Sequence, residues 1–236
     1  MSIEDVAPRT TAWTIGRIIE KQLPTPTTVR LRMHVEDRQR HWPGQHYLVR
    51  LRAPDDYVAQ RSYSVASDSE DPLVEFLVEK LPGGEVSEFL ADVAEVGDVL
   101  ELRGPIGRWF SWDVRTPALC LVGGTGVVPA VAMTRAARRA GRPELLRVLA
   151  VARSREELPY ADELARAGAS LALTRVALDG RPPGPPTASE VAPLLAGVEI
   201  AFVCGSSRFA QLGEALLMES GFPVEKIRVE QFGATG

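Results

Sequence analysis

The stretch Leu119-Cys120-Leu121-Val122-Gly123-Gly124-Thr125-Gly126-Val127-Val128-Pro129 constrains the fold more than any other. An apolar run enters a Gly-Gly-x-Gly turn, and an Ala/Arg-rich segment from Ala130 to Ala140 follows. That order predicts strand, tight turn, helix. Glycines lack Cβ, so backbone N–H groups in such a turn can close on an anion, and the following helix N-terminus adds partial positive charge. Pro129 suits an early helical position, where its missing N–H loses nothing. The loop therefore suits a nucleotide diphosphate. It is neither the GxGxxG fingerprint nor a P-loop, since no Gly-Lys-Ser/Thr follows. Taken alone, the same residues also suit a turn whose glycines serve only close helix–strand packing.

The residues around this turn extend the pattern. Apolar runs at Ala118–Val122, Leu145–Val151, Leu171–Val176 and Ile200–Val203 alternate with helical segments, and Ile227–Phe232 supplies a fifth strand. Two helix starts carry capping-box residues, Ser154 with Glu157 and Thr187 with Glu190. Strands alternating with helices imply a mostly parallel sheet covered on both faces. The proline-rich Gly180–Pro186 reads as a loop within it.

Before residue 114 the texture differs. Trp13–Ile18, Val29–Met33, His46–Arg52, Arg61–Ala66, Leu73–Lys80 and Asp98–Arg103 read as short strands. Turn signals separate them at Pro24/Pro26, Pro43-Gly44, Pro54-Asp55-Asp56, Asp71-Pro72 and Val96-Gly97-Asp98. With one short helix at Glu88–Ala94, they predict a small antiparallel β-barrel. The linker falls near Asp113–Pro117, giving expected domains 1–114 and 115–236.

Composition narrows the function classes. The 236 residues are 45% hydrophobic and 25% charged, as a globular chain should be. A net charge of −4 provides no basic field for nucleic acid. The two cysteines, Cys120 and Cys204, are too few for a disulfide framework or a four-thiolate iron–sulfur centre. The leading MSIEDVAPRTT lacks a signal-peptide pattern, and the most apolar window, Ala118–Met133, is too short for a membrane span. The expectation is a cytoplasmic protein with no membrane span and no nucleic-acid partner. His34, His41 and His46 have spacings that fit no metal site well, so no metal is expected.

Three further stretches carry chemistry. In Arg61-Ser62-Tyr63-Ser64-Val65-Ala66-Ser67, a strand puts Arg61 and Tyr63 on one face and Ser62 and Ser64 on the other. A guanidinium, a phenol and hydroxyls in that alternation could bind phosphate, pack on a flat ring and bond its edge. Ordinary decoration of an edge strand is the alternative. In Leu81-Pro82-Gly83-Gly84-Glu85-Val86-Ser87, Gly83 and Gly84 give backbone access to a second phosphate, while Ser87 is a natural N-cap. Cys204-Gly205-Ser206 ends an apolar strand, where ligands of open α/β sheets bind. A buried inert cysteine is the alternative there.

RSYSVAS, GGEVS, GPIG at Gly104–Gly107, GGTGVVP, Cys-Gly and a terminal Glu-x-aromatic follow one another in an order that resembles the ferredoxin–NADP reductase superfamily. The resemblance runs from about Trp13 to the C-terminus. It implies FAD as cofactor and NADPH (or NADH) as reductant. Arg61 then matches the residue that reaches the flavin pyrophosphate, Tyr63 the aromatic that packs on the isoalloxazine, and Ser64 the hydroxyl near N5. Ser62 and Val78 fall among the flavin contacts. Gly83, Gly84, Val86 and Ser87 match the second pyrophosphate clamp, which favours FAD over FMN. Gly123, Gly124, Thr125 and Gly126 match the nicotinamide-dinucleotide loop. Cys204 and Gly205 match the pair beside the nicotinamide ring, Glu230 the terminal acid, and Phe232 the aromatic covering the flavin. The catalytic set implied is Ser64, Cys204 and Glu230. Arg153, Ser154 and Arg155 match the site of the 2′-phosphate, which favours NADPH.

Two departures stand out. Cys204-Gly205-Ser206 replaces Cys-Gly-Pro, and Phe232 is followed by Gly233–Gly236. With no ferredoxin-type cysteine cluster, the resemblance implies an NAD(P)H reductase that passes electrons to a separate ferredoxin, flavodoxin or oxygenase component. The alternatives are a flavin-bearing relay subunit without its own NAD(P)H turnover, and a reductase of free flavin or ferric chelates. Arg135, Arg138, Arg139 and Arg142 could share a helix face as a basic patch, although helix-dipole complementation explains them equally.

Overall fold

The computed structural model describes residues 12–53 and 55–232. The leading segment, Pro54 of one expected turn and the Gly233–Gly236 tail lie outside the described residues. Two compact units divide between Asp113 and Val114.

The first unit holds β1 (Thr14–Thr25), β2 (Thr28–Val35), β3 (His46–Arg52), β4 (Val58–Ser64), β5 (Val74–Glu79) and β6 (Val99–Ile106). They form one antiparallel sheet in the order β4-β3-β6-β1-β2-β5. Its two edge strands meet at a Val65–Phe76 bridge, where the Ala66 N–H donates to the Glu75 carbonyl at 2.8 Å. The alternation read from β2 is realised directly: Val29, Leu31, Met33 and Val35 enter the core while Arg30, Arg32 and His34 face away. Ile18, Tyr47, Val49, Phe76 and Leu102 complete that core. The strand expected at residues 13–18 continues to Thr25, past the point where its apolar alternation stops. Backbone pairing with β2 through two register shifts carries it, and Arg32 bonds Glu20 at 2.9 Å across the pair.

The short helix starts earlier than expected. It comprises α1 (Glu85–Glu88) and one π-helical turn at Phe89–Val93, with Val86, Leu90 and Ala94 buried beneath it. Gly84 is the N-cap, so Ser87 is not. The Ser87 hydroxyl instead accepts from the Leu81 N–H at 3.2 Å and donates to the Gly84 carbonyl at 3.0 Å, closing the turn in front of the helix.

The second unit contains β7 (Ala118–Gly123), α2 (Val127–Arg139), β8 (Leu146–Ala152), α3 (Ala161–Arg166), β9 (Ser170–Leu173), α4 (Ala188–Val191), β10 (Ile200–Ser206), α5 (Ser207–Glu219) and β11 (Ile227–Phe232). All five strands run parallel in the order β11-β10-β7-β8-β9. Residues 118–122 are buried throughout, as a central parallel strand covered on both faces requires. Most of α2 is buried as well.

Two expectations fail in this unit. Ser154 and Glu157 form no capping box, because the chain from 153 to 160 is bends and turns and α3 begins only at Ala161. The Ser154 hydroxyl serves the Glu156 carboxylate, and Glu157 pairs with Arg153 at 3.4 Å. β9 stops at Leu173, short of Val176, as the chain turns away after Arg175 donates its N–H to the Arg153 carbonyl. The Thr187–Glu190 box does form and starts α4. The loop before it is organised by Arg181, whose guanidinium reaches the carbonyls of Leu173, Pro182, Gly184 and Pro185 and the Glu190 carboxylate.

Candidate functional sites

In the first unit the predicted residues gather on β4 and in the turn before α1. Arg61 and Ser62 are exposed, Tyr63 is half-buried and Ser64 is buried. Tyr63 packs against the core, and burial pushes its phenol up from the usual range. Arg61 donates to the carbonyl of its neighbour Gln60 at 2.8 Å and otherwise faces solvent. Ser64 Oγ is buried without a hydrogen-bond partner. A buried hydroxyl left unpaired costs roughly 1–3 kcal/mol, which a bound acceptor or donor would recover. This orphan is what a ligand bonded at its edge would satisfy.

Gly83 has φ +72° with open space where a Cβ would stand. Gly84 is tight instead: a Cβ there would lie 2.5 Å from Ser87 Oγ. The pair thus builds a sharp turn with an open outer side, in which the Ser87 hydroxyl is engaged internally. Val86 is buried and packs in the core, and Val78 lies on β5 with no exposed surface. Both support the site from below.

Sequence reasoning passed over Tyr57. It stands just ahead of β4, outside the strand, so the strand's alternation gives no signal for it. Its ring is 56% exposed, its hydroxyl donates to Glu85 Oε2 at 3.0 Å, and that bond raises its pKa while the Arg61 charge lowers it.

In the second unit the glycine turn packs hard against β10. A Cβ on Gly126 would stand 2.4 Å from the Cys204 carbonyl oxygen, and one on Gly123 would stand 2.7 Å from the Phe209 ring. The Phe209 ring also covers Gly205. Close packing therefore explains Gly123 and Gly126. Gly124 differs: its φ is +56° and nothing lies within 4 Å of its missing Cβ, which leaves this part of the turn open. Thr125 follows it in a 3-10 turn that runs into α2. Ser206, standing where the resembled family has proline, caps α5 by accepting from the Phe209 N–H at 3.3 Å. Phe209 holds both glycine-bearing segments together and was not singled out from the sequence.

Cys204 lies opposite Glu230 in the β10–β11 register and is buried. Burial, then the Glu230 charge, then Cys120 push its thiol well above the usual range, so it stays protonated. Burial also raises the Glu230 carboxyl to about 7. Phe232 ends β11 half-buried. Arg153 and Arg155 follow β8, both on the surface and both paired, Arg155 with Asp162 at 2.7 Å. The four arginines do not share a helix face, because α2 ends at Arg139 and Arg142 lies beyond it. Arg135 forms a two-pronged pair with Glu163 and lies over the Tyr160 ring, whereas Arg138 and Arg139 are exposed.

Among the described residues no helix is long and apolar enough to cross a membrane, and no His/Cys/Asp/Glu group has metal-site geometry.

The candidate residues thus fall in an antiparallel unit bearing Arg-x-Tyr-Ser and a parallel unit whose glycine turn packs against the strand of a buried cysteine. Residues 16–111 match the family described as the oxidoreductase FAD-binding domain. The chain is 42% identical over 91 residues to the toluate 1,2-dioxygenase electron transfer component of Pseudomonas putida, covering 39% of this chain and 26% of that protein. It is 41% identical over 123 residues to methane monooxygenase component C of Methylosinus trichosporium, covering 52% of this chain and 35% of that protein. The chain thus spans about a quarter to a third of the length of these two curated relatives. In fold it is similar to a ferredoxin NADP+ reductase from Neisseria gonorrhoeae with bound FAD and NADP, with a TM-score of 0.79 at 18% identity over 94% of this chain and 99% of that one.

Proposed function

We propose that this chain takes electrons from NAD(P)H onto FAD and hands them to a separate electron-acceptor protein, of the ferredoxin, flavodoxin or oxygenase-component class. The observation that supports this best is the open Gly124 turn fixed against Cys204 at the carboxyl end of a parallel sheet, in a chain whose residues 16–111 match an FAD-binding domain. Of the two curated relatives named above, one is the electron transfer component of toluate 1,2-dioxygenase and the other a component of methane monooxygenase, which favours an oxygenase component as acceptor. A cytoplasmic placement accompanies the proposal, supported by two unpaired cysteines.

The residues fit such a flavin. Ser64 supplies an unmet hydrogen bond, Arg61 a counter-charge for the diphosphate, and Gly83 open backbone. When bound, FAD supplies a two-electron acceptor for hydride that can release electrons singly. The chain's share is positioning and electrostatics. Cys204 presents a neutral thiol rather than a thiolate, so it acts by contact and not as a nucleophile. Glu230 holds or yields a proton on its carboxyl near neutral pH. Arg153, Ser154 and Arg155 would take the 2′-phosphate of NADPH.

Anaerobic stopped-flow mixing of the flavin-loaded protein with NADPH or NADH tests this. The visible flavin absorbance should bleach within the mixing experiment and return when an oxidised iron–sulfur acceptor is added. Flavin that binds but stays oxidised with both coenzymes would make the chain a relay without its own NAD(P)H turnover.

A further inference from the structure

We infer that α5 is a self-association surface, pairing antiparallel with α5 of a second copy of this chain about a two-fold axis midway along the helix. The inward face of α5, formed by Ala210, Gly213 and Leu217, is buried. Its outward ridge is Arg208, Leu212, Ala215 and Glu219, all exposed, Leu212 to 59%. Steps of four, three and four residues keep this ridge on one helix face, the spacing of a helix–helix seam. Met218, 50% exposed, widens the apolar strip along one flank.

The charges at the two ends of the ridge point to the occupant. Arg208 stands in the first turn of α5 and Glu219 in the last, and the first turn holds no acid and the last no base. A helix's own dipole favours the opposite sign at each end. Neither side chain forms an ion pair among the described residues. An antiparallel neighbour accounts for both. The midpoint of Arg208 and Glu219 and that of Leu212 and Ala215 coincide, between Gly213 and Glu214. A two-fold axis there sets each Arg208 against the partner's Glu219, and each Leu212 against the partner's Ala215. It also lays each Arg208 at the C-terminal end of the facing helix and each Glu219 at its N-terminal end, so both charges meet the dipole that suits them. A face that matches itself in this way is what a closed two-fold pair requires. The ridge is only about 17 Å long at 1.5 Å per residue. A seam that short falls below the roughly 1,200 Å² of a stable interface, so the pair is a weak one.

The test is sedimentation equilibrium of the full-length chain over roughly 5 µM to 0.5 mM, bracketing an expected dimer Kd on the order of 0.1 mM. Arg208→Glu and Glu219→Arg should each raise that Kd about tenfold or more, because like charges then face each other at both ends. Leu212→Glu should do the same by charging the apolar centre. A one-to-one mixture of Arg208→Glu with Glu219→Arg restores opposite charges at both ends, and should associate within about fivefold of wild type. Added salt should weaken the wild-type dimer by screening the exposed pairs. All three positions are exposed, so the variants should keep the wild-type melting temperature at low concentration. A wild type that stays monomeric throughout, a dimer indifferent to the single reversals, or reversals that the mixture fails to rescue would each overturn the inference. No flavin or coenzyme enters these measurements, so the proposed function stands or falls separately.

Discussion

Glu230 shows what one buried carboxyl does to this molecule. Burial raises its pKa to about 7, from an ordinary value near 4.5. A raised carboxyl pKa means the fold prefers the protonated form. The associated stability is present below about pH 4.5 and is lost as pH rises through about 7. At about 1.4 kcal/mol per pKa unit, the full change is roughly 3 kcal/mol. Glu230→Gln should remove this slope, so that urea midpoints measured from pH 5 to 8 are flatter in the variant than in wild type. An identical slope in both would mean that the carboxyl titrates normally. The same charge matters to Cys204, its register partner, whose thiol is held neutral first by burial and then by that carboxylate. Neither effect is legible in the sequence, where Glu230 and Cys204 stand 26 positions apart; the β10–β11 pairing brings them together.

At the scale of elements, the glycine turn has two kinds of glycine that the sequence cannot tell apart. Gly126 is glycine because β10 is there, with the Cys204 carbonyl oxygen 2.4 Å from where a Cβ would be, whereas Gly124 is glycine because its φ is +56° and faces open space. Gly126→Ala should therefore cost about 1–3 kcal/mol through overpacking against backbone that cannot yield. Gly124→Ala should cost about 1–2 kcal/mol through left-handed strain and leave the β7–β10 contact intact. Thermal unfolding of both variants, with dinucleotide binding measured alongside, checks this: Gly126→Ala should lose binding together with stability. The strand–turn–helix order was legible because apolar runs and glycines are local signals. The start of α1 was not. Ser87 looks like a cap, but the Leu81 N–H and Gly84 carbonyl come back to it across a turn, and that closure moves the helix start to Glu85. The Ser154–Glu157 pattern misled for a related reason. Its side chains found the nearer partners Glu156 and Arg153, so the box residues were present without a helix to cap.

Over the whole molecule, charge is divided unevenly. Residues 1–113 carry 13 Lys and Arg against 19 Asp and Glu, net −6, while residues 114–236 carry 14 against 12, net +2, together giving the −4 of the chain. The sequence changes texture near residue 114, the compact units divide between Asp113 and Val114, and this asymmetry follows the same line. On the proposed function, a net-positive second unit would favour the more anionic coenzyme, with Arg153 and Arg155 as the proposed local address of that preference. Both guanidiniums already have carboxylate partners, Glu157 at 3.4 Å and Asp162 at 2.7 Å, and all four side chains are substantially exposed. Exposed pairs are worth about 0–1 kcal/mol. A guanidinium–phosphate contact is worth about 1.5–3 kcal/mol, so exchanging the first for the second remains favourable. NADPH should accordingly be preferred over NADH by about tenfold in kcat/KM at low salt. Salt screens exposed charges, so the preference should narrow as ionic strength rises. Arg153→Ala and Arg155→Ala should each reduce the NADPH value while leaving that for NADH nearly unchanged. Glu157→Gln should do the reverse, releasing Arg153 and raising the NADPH preference. Steady-state kinetics with both coenzymes across a salt series decides it: a wild type that prefers NADH, or arginine variants that lose both activities equally, would show that these side chains do not read the 2′-phosphate.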